Sequence, residues 1–156
     1  MSRTQLIALA TLGSAALLAG AFGFQYLGGL APCHLCLLQR YPHAAAIAIG
    51  IVALLIPKAL LHRLLPLAGA LATLTTAGYG LYHTGVERHW WLGPTTCTSG
   101  SIGNVSAKDL LAQIQAAPLV QCDVAAWSMW GLSMASWNMV ASLLLTAIWL
   151  AAYRKS

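Results

Sequence analysis

Long apolar runs recur four times along the chain, uncharged except for Arg40 in the second. They extend from about Leu6 to Leu30, Cys36 to Ile56, Leu64 to His83 and Leu132 to Ala152. Each approaches or exceeds the ~20 residues an α-helix needs to cross the hydrocarbon core of a bilayer. Periodicity alone does not separate such runs from buried helices of a large soluble protein, but their length and missing charges do. In the first run Ala15, Ala19 and Gly23 recur every four residues, which predicts a small-residue stripe for close helix packing. The third is rich in small residues (Gly69, Ala72, Thr73, Thr76, Ala77, Gly80), as expected of a helix packed on several neighbours. Arg3 and Ala19-Gly20-Ala21 also resemble a cleavable signal peptide, yet the apolar run continues well past that point, which favours a retained span.

The polar stretch from about Thr84 to Gly131 holds Glu87, Asp109 and Asp123, all the acidic residues of the protein. Ser106-Ala107-Lys108-Asp109 resembles a capping box and predicts a short helix through Gln115. Leu110, Leu111 and Ile114 would give it one apolar face, suited to lying on the bilayer surface. The predicted fold is an all-α membrane protein. It is a single domain over 1–156, a four-transmembrane-helix bundle with a long periplasmic loop carrying a short surface helix.

Composition narrows the class. Of 156 residues, 59% are hydrophobic and 7% charged, against roughly 25% charged in soluble domains. No separate soluble domain fits between the spans. The net charge of +5 is scattered and forms no nucleic-acid-binding patch. Arg3, Lys58, Arg63, Arg154 and Lys155 flank apolar runs at ends that must share one side of the membrane. The positive-inside rule makes that side cytoplasmic, with both termini. The junction between the first two spans and the long loop then face the opposite compartment, where disulfides persist.

All four cysteines fall on that face. Cys33 and Cys36 lie in Pro32-Cys33-His34-Leu35-Cys36-Leu37-Leu38-Gln39-Arg40, and Cys97 and Cys122 lie in the loop. A C-x-x-C pair can close a small ring, bind metal with a second pair, or shuttle electrons by thiol exchange. Cys97 and Cys122 are too far apart to complete a zinc pattern, so no metal is expected. Four cysteines allow three pairings, and spacing does not choose among them. If the second span is helical from Cys36, then Arg40 lies one turn further on the same face. The helix start also favours a thiolate. A redox centre at a membrane surface is the function these residues predict.

Three blocks together resemble the disulfide-bond-formation protein B (DsbB) family of quinone-dependent oxidases of the bacterial inner membrane. They are Pro32-Cys33-x-Leu35-Cys36 with Gln39-Arg40, then His83-Thr84 ahead of Pro94 and Cys97, and Cys122-Asp123 followed by Trp127, Gly131-Leu132, Met134 and Trp137. The resemblance implies that Cys33, Cys36, Cys97 and Cys122 are catalytic, with Cys97 and Cys122 meeting a reduced periplasmic thioredoxin-fold oxidase of the DsbA type. It implies that Cys97 takes the partner's thiol, that Cys33 then attacks Cys122, and that Cys36 is left as a thiolate against a quinone, ubiquinone or menaquinone, from the membrane pool. Arg40 would stabilise that thiolate or a developing quinol anion. His83 would hydrogen-bond the quinone or merely sit wet at the interface.

Glu87 and His89 are candidates for proton relay or simply solvated loop charges. Trp90, Trp91, Trp127, Trp130 and Trp137 fit an interfacial belt, with one of them a candidate wall of the quinone pocket. Gln39 departs from family members with an acid before the arginine, so no proton-delivery role carries over to it. Two rivals are a vitamin K epoxide reductase-like protein and a non-catalytic tetraspan with structural disulfides. In the first the C-x-x-C follows the loop cysteines, and the second gives no reason for Arg40.

Overall fold

The computed structural model describes residues 1–56, 61–94 and 120–155, together with Leu111 and Gln115. Four helices long and apolar enough to cross a membrane dominate it. They are α1 (Arg3–Tyr26), α2 (His34–Leu55), α3 (Leu61–Glu87) and α4 (Met134–Arg154). Each packs against two neighbours, in the order α1–α2–α3–α4, with α4 closing on α1. The architecture is the four-helix membrane bundle that the apolar runs predict. Much of each outer surface is bare leucine, for example Leu12, Leu55, Leu64 and Leu144, as suits a face turned to lipid.

Local chemistry fixes the helix starts. Ser2 caps α1 through a reciprocal capping box with Gln5, which satisfies two otherwise orphaned N–H groups. Cys33 caps α2, its sulfur accepting from the Cys36 N–H at 3.1 Å. Ser133 caps α4 through the Ser136 N–H.

Two boundaries differ from the sequence expectation. Helix α3 runs on through Glu87, because Thr84 and the Glu87 side chain turn inward to polar partners. Residues Leu132 and Ser133 are not helical but form β2, antiparallel to β1 (Ser128–Met129), with Ser128 opposite Ser133 and Met129 opposite Leu132. Trp130 and Gly131 join the strands with φ of 52° and 77°. A two-residue hairpin turn of that hand needs positive φ at both positions. Cys97 and the expected surface helix over 106–115 lie outside the described residues, apart from Leu111 and Gln115.

The two ends of the bundle are chemically distinct. Lys155 Nζ donates to the Met1 carbonyl at 2.9 Å, and the Arg63 guanidinium lies 5.9 Å from the Tyr153 ring centre. The basic residues of both termini and of early α3 therefore share one end. A core of Ile7, Ala10, Ala70, Trp149 and Ala152 fills that end. Trp149 is fully buried over Gly69, where an added Cβ would meet its ring at 2.5 Å. Cys33, Leu35, Val86 and Cys122 form a second core at the opposite end.

The small-residue positions of α3 behave as expected, with Gly69 under Trp149 and Gly80 against Ala135 and Met139. The Ala15–Ala19–Gly23 stripe of α1 does not. Ala19 is exposed, and nothing lies within 4 Å of where a Gly23 Cβ would be. The packed face of α1 is Ile7, Ala10, Thr11 and Ser14. Beyond Ser14 the helix lines a cavity instead of meeting a neighbour closely.

Candidate functional site: a buried thiol centre beside a cavity

The turn after α1 delivers Cys33 to the N-cap of α2 in extended conformation, with Cys36 one turn into the helix. Both are free thiols, and their Sγ atoms lie 2.7 Å apart. A disulfide needs about 2.05 Å, so once an acceptor takes two electrons and two protons, only a small movement is needed to close the ring. The hydrogen bond with Cys36 and then burial push the Cys33 thiol above the usual thiol range.

Cys122 comes from the segment before β1. It is fully buried and disulfide-bonded. Its sulfur, the Cys33 sulfur and a ring nitrogen of His83 all lie within 4.8 Å of one another. Three of the four predicted catalytic cysteines therefore meet, and Cys97 falls outside the described residues. The same three donor atoms could hold a thiophilic cation only after the Cys122 disulfide opens, since a metal ligand must be a thiolate.

His83 is buried within α3, not wet at an interface. Its Nε2 faces Cys33 Sγ at 3.6 Å and Glu87 Oε1 at 3.7 Å. Its Nδ1 meets Gln39 Nε2 at 2.9 Å. Glu87, one turn on, has only 8% of its side chain exposed. It is a site residue and not a solvated loop charge. His89 bends away in a positive-φ conformation, its ring on the Val86 carbonyl, and takes no part in the centre.

Arg40 lines the cavity together with Cys36. Its Nη1 donates to Gln25 Oε1 at 2.6 Å and its Nη2 to the Ala21 carbonyl at 3.4 Å. Its guanidinium carbon sits 4.9 Å from the Phe22 ring centre. The Nε of Arg40 is buried with no partner, and among the described residues no carboxylate pairs with the side chain. A half-buried guanidinium without an anion is positioned for an oxygen-bearing ligand.

The cavity has a volume of about 290 Å³, near the lower end for small-molecule sites. Apolar residues of α1, among them Leu17, Ala21 and Phe24, form one wall, and Trp127 and Trp137 form another. Trp90 and Trp130 are largely exposed. Of the tryptophans expected in a belt, Trp127 and Trp137 are therefore the ones that wall the cavity.

Sequence reading missed the polar floor. Gln39 and His43 of α2 reach across the bundle centre to Asn138 of α4, at 2.7 Å and 2.9 Å. Polar residues in the middle of an apolar span are the available signal, because a buried amide or imidazole is costly unless satisfied.

The sequence profile of the family described as disulfide bond formation protein DsbB matches residues 3–152. A protein named disulfide bond formation protein B from Polaromonas naphthalenivorans (strain CJ2) is 30% identical over 163 residues, covering 95% of this chain and 90% of that one. Its namesake from Verminephrobacter eiseniae (strain EF01-2) is 31% identical over 158 residues, covering 94% and 84%. That from Albidiferax ferrireducens is 28% identical over 163 residues, covering 96% and 87%. No solved structure gives a significant match.

Proposed function

This chain belongs to the DsbB family of disulfide bond formation proteins, and on that premise we propose that it is a dithiol:quinone oxidoreductase. It reoxidises a periplasmic thioredoxin-fold protein of the DsbA type and passes the electrons to a membrane quinone. The observation that carries this reading is the meeting of Cys33 Sγ, Cys122 Sγ and His83 within 4.8 Å, with Cys36 and Arg40 beside an apolar cavity.

A quinone fits that cavity by the chemistry of its walls. The ring would lie against Leu17, Phe24 and Trp137, and an oxygen would find the unpartnered Nε–H of Arg40. When bound, a quinone supplies an acceptor for two electrons and two protons. Either ubiquinone or menaquinone suits walls of this kind.

The exchange begins when a thiolate of the partner attacks Cys97 in a Cys97–Cys122 disulfide, releasing Cys122 as thiolate. Cys122 then attacks Cys33 in a Cys33–Cys36 disulfide and expels Cys36. Electrons arriving from the partner make Cys122 the nucleophile, so the attack runs opposite to the direction the family resemblance first suggested. The partner's second thiolate attacks its own sulfur in the mixed disulfide and leaves oxidised, freeing Cys97. Cys97 in turn attacks Cys122, restoring their disulfide and releasing Cys33. The two electrons now sit on Cys33 and Cys36, the state in which Cys122 is bonded and both C-x-x-C thiols are free. Cys36, at the cavity wall, hands the pair on and the Cys33–Cys36 bond closes again. Arg40 holds negative charge where Cys36 meets the cavity, an electrostatic role strengthened by the low dielectric. Each turnover moves two electrons and two protons from the partner dithiol to the quinone.

Placement in the bacterial inner membrane, with the basic end cytoplasmic and the thiol end periplasmic, follows from the same reading. The test is purified protein in detergent with a reduced DsbA-like partner and a soluble quinone, following quinone absorbance. Consumption that needs both the partner and Cys33 is expected. No consumption with either quinone class overturns the assignment.

A further inference from the structure

Every hydrogen bond around Gln39 has a direction, and one main-chain carbonyl sets them all. Gln39 Nε2 lies 3.2 Å from the Leu35 carbonyl oxygen. A carbonyl only accepts, so the NH2 end of the Gln39 amide must be on that side. The same NH2 group meets His83 Nδ1 at 2.9 Å, which makes Nδ1 an acceptor without a proton. The other end, Gln39 Oε1, accepts from Asn138 Nδ2 at 2.7 Å. The amide orientation of Asn138 follows, and its Oδ1 accepts from His43 Nε2 at 2.9 Å. Thr76 braces the pair, donating to the main-chain carbonyl of Gln39 at 2.9 Å and accepting from Asn138 Nδ2 at 3.3 Å.

The consequence reaches the thiols. With Nδ1 bare, the neutral ring of His83 carries its proton on Nε2. That nitrogen faces Cys33 Sγ at 3.6 Å and Glu87 Oε1 at 3.7 Å, which can both accept.

We propose that Gln39 and Asn138 are positioning residues, an amide pair anchored on the Leu35 carbonyl that locks His83 as its Nε2–H tautomer and so makes it a fixed hydrogen-bond donor to Cys33, not a base. The lock is a property of the bundle, and its use at Cys33 rests on the thiol-oxidase reading above. A donor aimed at Cys33 polarises that sulfur for attack in the disulfide and holds its charge as a thiolate. The proton of the Cys33 thiol leaves through Cys36, whose sulfur is 2.7 Å away. The glutamine is what the device requires at this position. A glutamate of the same shape would accept at Nδ1, move the ring proton there and leave Nε2 bare.

The test is nitrogen NMR of the full-length reduced protein, labelled with ¹⁵N-histidine in detergent. The His83 signals are identified by their loss in His83→Gln. A pyridine-type Nδ1 and a pyrrole-type Nε2 are expected in the wild type, and a pyrrole-type Nδ1 in Gln39→Glu. Asn138→Ala, which frees the Gln39 carbonyl, is expected to give a mixture. A pyrrole-type Nδ1 in the wild type, or no change in folded Gln39→Glu, overturns the lock. The second arm measures thiol–disulfide exchange at Cys33. His83→Gln, which keeps an N–H near the position of Nε2, is expected to stay within about threefold of wild type, and His83→Ala to fall by about tenfold or more. Equal losses in both variants favour a base and overturn the donor role. A wild type that shows the lock but oxidises no dithiol overturns the thiol-oxidase reading and leaves the lock standing.

Discussion

Arg40 donates through Nη1 to the side-chain oxygen of Gln25 at 2.6 Å, which ties the cation of α2 to the last turn of α1. The contact aims the guanidinium along the cavity wall. It also spends two of the five N–H donors on protein, the second at the Ala21 carbonyl.

Arg40→Lys is therefore expected to raise the quinone KM by about tenfold or more, because an ammonium cannot hold Gln25 and a ligand oxygen in one planar fork. Gln25→Ala is expected to do the same more weakly, by roughly threefold to tenfold, through loss of one charge-assisted hydrogen bond. Steady-state kinetics with a short-chain quinone measure both. An unchanged KM in Arg40→Lys would remove Arg40 from the binding site.

Cys33→Ser separates structure from chemistry. A serine oxygen also accepts from the Cys36 N–H, and serine is a preferred N-cap, so α2 keeps its start. Unfolding stability is expected to stay within about 1 kcal/mol of wild type, with electron transfer abolished. Residual quinone reduction coupled to the partner would show that Cys33 is not the entry sulfur of the C-x-x-C pair.

The pH response of Cys33 has a definite sign. Its hydrogen bond with Cys36 and its burial disfavour the thiolate, so its pKa is raised in the fold. In the unfolded chain the thiol ionises near the ordinary value, and in the fold it ionises at higher pH. Whatever stability this contributes is present below about pH 8.5 and is lost as pH rises beyond it. Alkylation of Cys33 in the folded, reduced protein is expected to keep climbing through pH 10, whereas the denatured chain levels off after its ordinary midpoint. Cys36→Ala removes the larger cause and moves the folded midpoint down. Peptide mapping after timed labelling reads both, and a folded-state plateau at or below the denatured one contradicts the shift.

Gly69→Ala tests the packing at the basic end. An added Cβ would lie 2.5 Å from the buried Trp149 ring, and overpacking of this kind costs about 1–3 kcal/mol. Denaturation in detergent is expected to show that loss, while quinone reduction at the far end changes little. Equal stability would mean that the ring moves aside freely.

Four spans, one cysteine-bearing face and the one-turn spacing of Cys36 and Arg40 were all legible in the sequence. Each is a local property, since lipid demands a long uncharged run and a helix repeats every 3.6 residues. The sequence offered His83 and Glu87 as candidates and Gln39 as part of a motif, but showed His43 and Asn138 only as polar residues within apolar runs. What Gln39, His43, His83 and Asn138 do depends on partners 44 to 99 positions away, and only helix packing brings such partners together. Tertiary structure also decided that α1 packs through Ile7, Ala10 and Ser14, while its Ala15–Ala19–Gly23 stripe stays loose. Small residues permit close approach but do not choose the neighbour. That choice is made where all four helices satisfy their buried polar groups at once.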